Sequence, residues 1–175
     1  MRTYAITTSQ SASTSLQSGD DRPWSGPTRG PYRDLVGSVV AVCPSCAAKN
    51  RVPTASPGSP RCAKCHADLP WLVEADDGDF AAAIDTKRLV LVDLWAPWCG
   101  PCRMVAPVLE KLAQELADQL KVVKVNVDES PMTAQRYEAR SIPMLLFMRN
   151  GDVVETVVGA QPEHVLRQRI EELRP

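Results

Sequence analysis

The pattern of apolar and polar positions divides this chain into three unequal stretches. Residues 1–38 are rich in Ser, Thr, Gly and Pro, and a run such as "TTSQSASTSLQSG" has no period that a core could use. That stretch is expected to be disordered. Residues 39–70 hold few sizeable aliphatics, and Pro53, Pro57, Gly58 and Pro60 break them up. A segment this small cannot build its own core and needs a metal, disulfides or a partner.

Residues 71–175 alternate between two periodicities. "WLVEA" predicts a short strand, and "FAAAI", preceded by the acids Asp76 to Asp79 as helix N-caps, a short helix. "LVLVDLW" is a continuous run of the kind found in a central buried strand. Val105, Val108, Leu109, Leu112 and Leu116 then recur at helical spacing, with Pro107 inside as an expected kink. "KVVKVNV" predicts a strand, "MTAQRYEA" a short helix and "MLLFM" a strand. Asn150-Gly151 signals a hairpin turn into "VVETVV". A last helix starts at Pro162 and runs through Leu166, Ile170 and Leu173. Alternating elements ending in a hairpin imply an α/β fold with a mixed sheet flanked by helices.

The net charge of -1 gives no basic surface for nucleic acid or anionic lipid. The longest apolar run, "IPMLLFM", is far too short to span a bilayer. No charged-then-apolar leader opens the chain, so a cytoplasmic, reducing location is expected. Residues 1–38 carry no acid before Asp20, as in a transit peptide, but only Arg2 precedes Arg22. An inert extension is the plainer expectation. Nothing demands more than a monomer.

All six cysteines fall in three Cys-x-x-Cys pairs: Cys43/Cys46, Cys62/Cys65 and Cys99/Cys102. In a reducing compartment such spacing points to metal or redox chemistry. Cys99 follows a buried strand and opens a helix. The unpartnered first-turn N–H groups and the positive end of the dipole there stabilise a thiolate. Cys102 lies one turn inward, near enough to close a disulfide or to attack a mixed disulfide on Cys99. Gly100 allows close approach of a substrate backbone. Pro101 stiffens the first turn, where it has no N–H to lose. Asp93 is an acid within a strand of aliphatics, where burial would raise its pKa and fit it for proton transfer.

"VDLWAPWCGPC" resembles the active-site segment of the thioredoxin family. The resemblance covers residues 72 to about 173 and includes "KVNVD", "SIPMLLFMRNGDVV" and "VGA". It implies a five-stranded sheet with four helices and dithiol–disulfide exchange. By resemblance, Asp93 is the buried acid behind the Cys pair, Lys124 its partner, and Trp95 and Trp98 the flanking aromatics. Ile142-Pro143 is the cis-proline segment that docks substrate backbone, and Gly159 lies on the same surface. Met144, where the family usually has Thr, and Glu138-Ala139, in place of Gly-Ile, are departures that bear on substrate preference. Gly100-Pro101 puts no extra charge between the cysteines. A reductant is therefore expected, and the resemblance implies a potential near the thioredoxin value of about -270 mV.

The remaining pairs allow three readings. Cys43-x2-Cys46-x15-Cys62-x2-Cys65 fits a four-cysteine zinc site whose binding energy would fold this segment. "CAKCH" also matches a haem-attachment pattern, which would ignore Cys43 and Cys46, and both pairs could form disulfides. His66 then has no required role, and His164 lies on the polar face of the last helix. "CPSCAAKNRVP" with "CAKCHADL" resembles the zinc-binding extension of the bacterial thioredoxin 2 type. The expected organisation is an extension (1–38), a zinc-ribbon-like domain (39–70) and a thioredoxin domain (71–175). The resemblance implies a protein-disulfide reductase regenerated by an NADPH-dependent thioredoxin reductase. NADPH itself has no Gly-rich fingerprint to bind here.

Overall fold

The structure is a computed structural model that describes residues 37–56 and 58–173. Apart from its last two residues, the expected disordered extension lies outside the described residues.

The cysteine-rich segment contains two strands that the apolar pattern did not disclose, β1 (Ser38–Val42) and β2 (Lys49–Pro53). They pair antiparallel, with Val40 opposite Arg51 and Val42 opposite Lys49. β1 is apolar at every position after Ser38, so it lacks the alternation that marks a half-buried strand, although Val39 and Ala41 pack inward while Val40 and Val42 are exposed. A second, shorter loop is closed by a bridge between Arg61 and Asp68.

The larger part holds β3 (Trp71–Glu74), α1 (Phe80–Ile84), β4 (Leu89–Trp95), α2 (Gly100–Glu115) and β5 (Leu120–Asn126). It continues through α3 (Pro131–Arg136), β6 (Met144–Arg149), β7 (Asp152–Val158) and α4 (Glu163–Leu173). The sheet order is β3-β5-β4-β6-β7. The first three strands run parallel, as crossovers through α1 and α2 require, and β6 and β7 are antiparallel. The turn at Asn150-Gly151 has positive φ at both residues (53° and 88°), the backbone that a tight hairpin demands. This is the mixed five-stranded, four-helix thioredoxin fold.

Alternation along the strands sorts the core into two layers. Leu89 and Leu91 of β4, Leu120 and Val122 of β5, and Leu145 and Phe147 of β6 face α2 and α4. Val90, Val92, Leu94, Val123 and Val125 face the side of α1. Val52, Leu69, Cys43 and Cys62 of the cysteine-rich segment join this second layer. The segment thus shares a core rather than having one.

The contact is also polar. The Trp71 indole Nε1 donates to the Pro53 carbonyl at 3.0 Å. Lys121, fully buried, donates from Nζ to the Thr54 carbonyl at 2.7 Å and also to the Ala83 carbonyl, and lies 4.0 Å from the Trp71 ring centroid. The Arg88 guanidinium donates to Ser59 Oγ at 2.8 Å and pairs with Asp68 at 3.5 Å.

One local expectation needs correction. The acids at 76–79 do not cap α1 with their side chains. Asp79 occupies the N-cap position without a side-chain bond, because Asp76 and Asp79 each bond backbone N–H groups of the turn itself. Asp77 reaches across to cap α3, accepting from the Met132 and Thr133 N–H groups and from Thr133 Oγ1. Glu138, where the family has glycine, takes a left-handed backbone (φ 51°), which explains why glycine suits that position.

Candidate functional site

The period of two that builds the sheet also places the candidate acid. Asp93 shares parity with Leu89 and Leu91, so it belongs to the face covered by α2. Its register neighbours are Lys124 on β5 and Leu145 on β6. Asp93 is 1% exposed, and its Oδ1 has no hydrogen-bond partner among the described residues. Burial raises its pKa to about 6 against the opposing pull of the Lys124 ammonium. Lys124 also lies over the Trp95 ring, 4.7 Å from its centroid. A crevice of about 250 Å³, lined by Trp95, Lys124, Asn126, Glu74 and Glu129, opens beside this pair. It has room for several waters.

Above the end of β4, Cys99 is the N-cap of α2, with Pro101 in the first turn. Its Sγ accepts the Cys102 backbone N–H at 3.1 Å, one of the donors that a helix start leaves unpaired. That bond and the helix dipole both favour a thiolate at Cys99. Here Cys99 and Cys102 are joined as a disulfide, and both residues are buried. A Cβ on Gly100 would meet nothing nearer than the Arg103 guanidinium at 3.8 Å, so packing alone does not call for glycine.

Trp98 is 67% exposed, and its indole Nε1 donates to Asp128 at 2.9 Å. Asp128 carried no sequence signal, because its partner comes from a loop thirty residues earlier. The Ile142-Pro143 bond is cis, and the Gly159 N–H donates to the Pro143 carbonyl at 2.8 Å. Gly159 has φ 89°, so glycine is favoured there.

The titration of Asp93 has a definite consequence. Its folded pKa lies above the ordinary 3.8, so the native state holds the proton more tightly than the unfolded chain. Stability therefore falls as pH rises from about 4 to 6, and above that range the penalty is complete. The rise is worth about 3 kcal/mol. Asp93→Asn should stabilise the protein by about that much at pH 7.5 and by little at pH 3, as read from urea unfolding at both values. Equal gains at the two pH values would disprove the burial argument.

The other four cysteines converge. Their sulfur atoms lie within 4.8 Å of one another and form a cluster able to hold a metal ion. Cys43 and Cys65 approach to 3.5 Å, and Cys46 and Cys62 to 3.6 Å. A tetrahedral centre with metal–sulfur bonds of about 2.3 Å has sulfur–sulfur edges of about 3.8 Å, so the spacing fits. Each pair sits in the same kind of turn. Ala47 N–H donates to the Cys43 carbonyl and His66 N–H to the Cys62 carbonyl, both at 2.9 Å. Ala47 and His66 both take left-handed backbones (φ 58° and 62°). His66 is exposed and lies outside the sulfur cluster. All four thiols are unpaired here, and Cys62 and Cys65 turn toward Cys43 and Cys46, an arrangement unsuited to the haem reading.

A mixed sheet that presents a disulfide at a helix N-cap above a buried carboxylic acid defines a dithiol–disulfide exchange protein. The family model described as Thioredoxin matches residues 71–172, and the chain belongs to that family. It is a thiol–disulfide oxidoreductase. Thioredoxin of Bacillus subtilis (strain 168) is 50% identical over 99 residues, covering 57% of this chain and 94% of the relative. Thioredoxin 1 of Synechococcus elongatus is 57% identical over 88 residues, 50% of this chain and 82% of the relative. Thioredoxin M5, chloroplastic, of Oryza sativa subsp. japonica is 39% identical over 146 residues, 80% of this chain and 84% of the relative.

Proposed function

We propose that this protein is a zinc-containing protein-disulfide reductase of the cytoplasm, regenerated by an NADPH-dependent thioredoxin reductase. The Cys99 thiolate attacks one sulfur of a substrate disulfide. A mixed disulfide forms, and the other substrate sulfur leaves as a thiolate. Cys102 then gives its proton to the Asp93 carboxylate and attacks Cys99 Sγ, expelling the second substrate thiolate. The protein is left as the Cys99–Cys102 disulfide, and two electrons from the reductase restore the dithiol. Lys124 holds the Asp93 charge in place. Trp98, Gly100, Pro101, Ile142, Pro143 and Gly159 form the surface on which the substrate chain docks.

The observation that carries this reading is the N-cap position of Cys99, one turn from Cys102 and on the Asp93 side of the sheet. Insulin reduction coupled to thioredoxin reductase and NADPH tests it. Turnover is expected with both present, and none without the reductase. A protein that oxidises reduced substrates but cannot reduce insulin would overturn the direction of electron flow.

Cys43, Cys46, Cys62 and Cys65 would hold zinc, since four soft thiolates with no oxygen donor suit that ion, and their binding energy would order residues 39–70. The ion would supply structure there and take no part in thiol exchange. Backbone N–H groups of Cys65 and Lys64 lower the Cys62 pKa to about 6, so this sulfur is readily ionised for a cation. Metal analysis should find about one zinc per chain, and Cys43→Ser with Cys46→Ser should remove it. Zinc retained by that double variant would place the ion elsewhere. Among the described residues no helix is long and apolar enough to cross a membrane.

A further inference from the structure

The two cysteine turns match in backbone but not in what supports them. Asn50 lies on β2, four residues after Cys46, opposite Ala41 and on the strand's inward face. Its carboxamide makes three contacts. Nδ2 donates to the Ala48 carbonyl at 2.8 Å, next to the first turn, and to Cys62 Sγ of the second turn at 3.6 Å. Oδ1 accepts the Ala63 N–H, also in the second turn, at 3.0 Å. One side chain thus joins both turns and touches a sulfur of the cluster. At the matching place in the second turn, four residues after Cys65, stands Leu69, which is buried and has no polar group to offer.

A sulfur that binds a metal is electron-rich, and an N–H directed at it stabilises the thiolate and fixes its lone-pair direction. Cys62 Sγ receives the Asn50 amide in addition to backbone N–H groups of Cys65 and of Lys64, the latter at 3.4 Å. The amide must also keep its orientation. Reversing it would set Nδ2 against the Ala63 N–H and Oδ1 against the Ala48 carbonyl and Cys62 sulfur. Among the described residues Asn50 is the side chain whose N–H is hydrogen-bonded to a sulfur of the cluster.

We propose that Asn50 is the positioning residue of the metal centre, holding the second cysteine turn against the first and tuning the Cys62 thiolate through an N–H···S bond. This rests on the reading of the four cysteines as a zinc site. Asn50→Asp keeps the shape and the acceptor for Ala63 but sets a carboxylate oxygen beside a thiolate. Asn50→Leu copies the residue that the second turn already uses, and so keeps the packing while removing every polar contact.

The test titrates the full-length parent and both variants with zinc against a chromophoric chelator, and records absorption spectra after loading with cobalt(II). Zinc affinity should fall by about 10- to 100-fold in Asn50→Asp, and by about 10-fold in Asn50→Leu. The thiolate-to-cobalt charge-transfer band should move to lower energy in Asn50→Leu, because Cys62 Sγ loses an N–H donor and becomes easier to oxidise. A residue that merely bridged two loops would leave that band in place. If both variants bind zinc within two-fold of the parent and the band is unmoved, the proposal is wrong. If the parent itself takes up neither zinc nor cobalt, the zinc reading fails and this assignment fails with it.

Discussion

Cys99→Ser should lower the rate of insulin reduction by at least about 10³-fold, to the background of the assay. A serine hydroxyl at the same N-cap still meets the Cys102 N–H, but it does not ionise near neutral pH and does not attack sulfur usefully. No other thiol can take over. Cys102 lies inside the first turn as the third helical residue rather than at the N-cap, and the remaining cysteines are gathered in a cluster of four. Cys102→Ser should behave differently. Attack by Cys99 proceeds, one substrate thiolate is released, and the reaction stops at the mixed disulfide. A non-reducing gel should therefore show a covalent adduct in Cys102→Ser and none in Cys99→Ser. In Asp93→Asn the first attack should stay near its parental rate while resolution slows at neutral pH, since the residue that receives the Cys102 proton is gone. Near-normal turnover in Cys99→Ser would sink this division of labour.

The larger part of the fold was legible because its signals are local and agree with one another. "LVLVDLW" reads as β4 to the residue, and Asn150-Gly151 as the hairpin between β6 and β7. The Cys99–Cys102 spacing was readable because a helix start fixes what three residues of separation mean. Parity along β4 is enough to place Asp93 opposite α2, provided that both faces of the strand are known to be covered. What the sequence left hidden depends on contacts between distant segments. Lys121 and Lys124 lie three residues apart on β5 and so point to opposite faces, one towards Thr54 and the other, the register neighbour of Asp93, into the crevice lined by Trp95. Taken alone, both look like solvent-exposed lysines. The α3 cap from Asp77 escaped because its acceptor lies 56 residues from Thr133. β1 escaped because its apolar run SVVAV carries no period of two, and β2 because KNRVP holds a single sizeable aliphatic, Val52.

Deleting residues 1–70 should cost about 3 kcal/mol of stability and leave reduction of a generic disulfide within a few-fold of the intact protein. The stability loss follows from the shared layer. Trp71 is fully buried and donates to Pro53, so removing β2 bares a large part of its ring. About half of an indole uncovered, at about 25 cal/mol per Å², is worth about 2–3 kcal/mol. Lys121 would lose the Thr54 carbonyl, and Arg88 would lose Ser59 and Asp68. Hydration of the freed Lys121 ammonium offsets part of this, since burial now holds its pKa down at about 7. The chemistry should survive for a geometric reason. Trp71 and Lys121 stand at or near the starts of β3 and β5, and Arg88 immediately precedes β4, whereas Cys99 follows the end of β4. Seven residues of strand separate the two poles by about 20 Å. The cysteine-rich segment also packs on the α1 side of the sheet, while Asp93 faces α2. The Bacillus subtilis relative is matched over 94% of its length by 57% of this chain, so a thioredoxin need be little longer than the matched region. The measurements are urea unfolding and turnover on a small disulfide, made on both forms. If the truncated protein folds and forms its Cys99–Cys102 disulfide, yet loses most of its rate, the cysteine-rich segment shapes the active site through the sheet, and the two cannot be treated as separable.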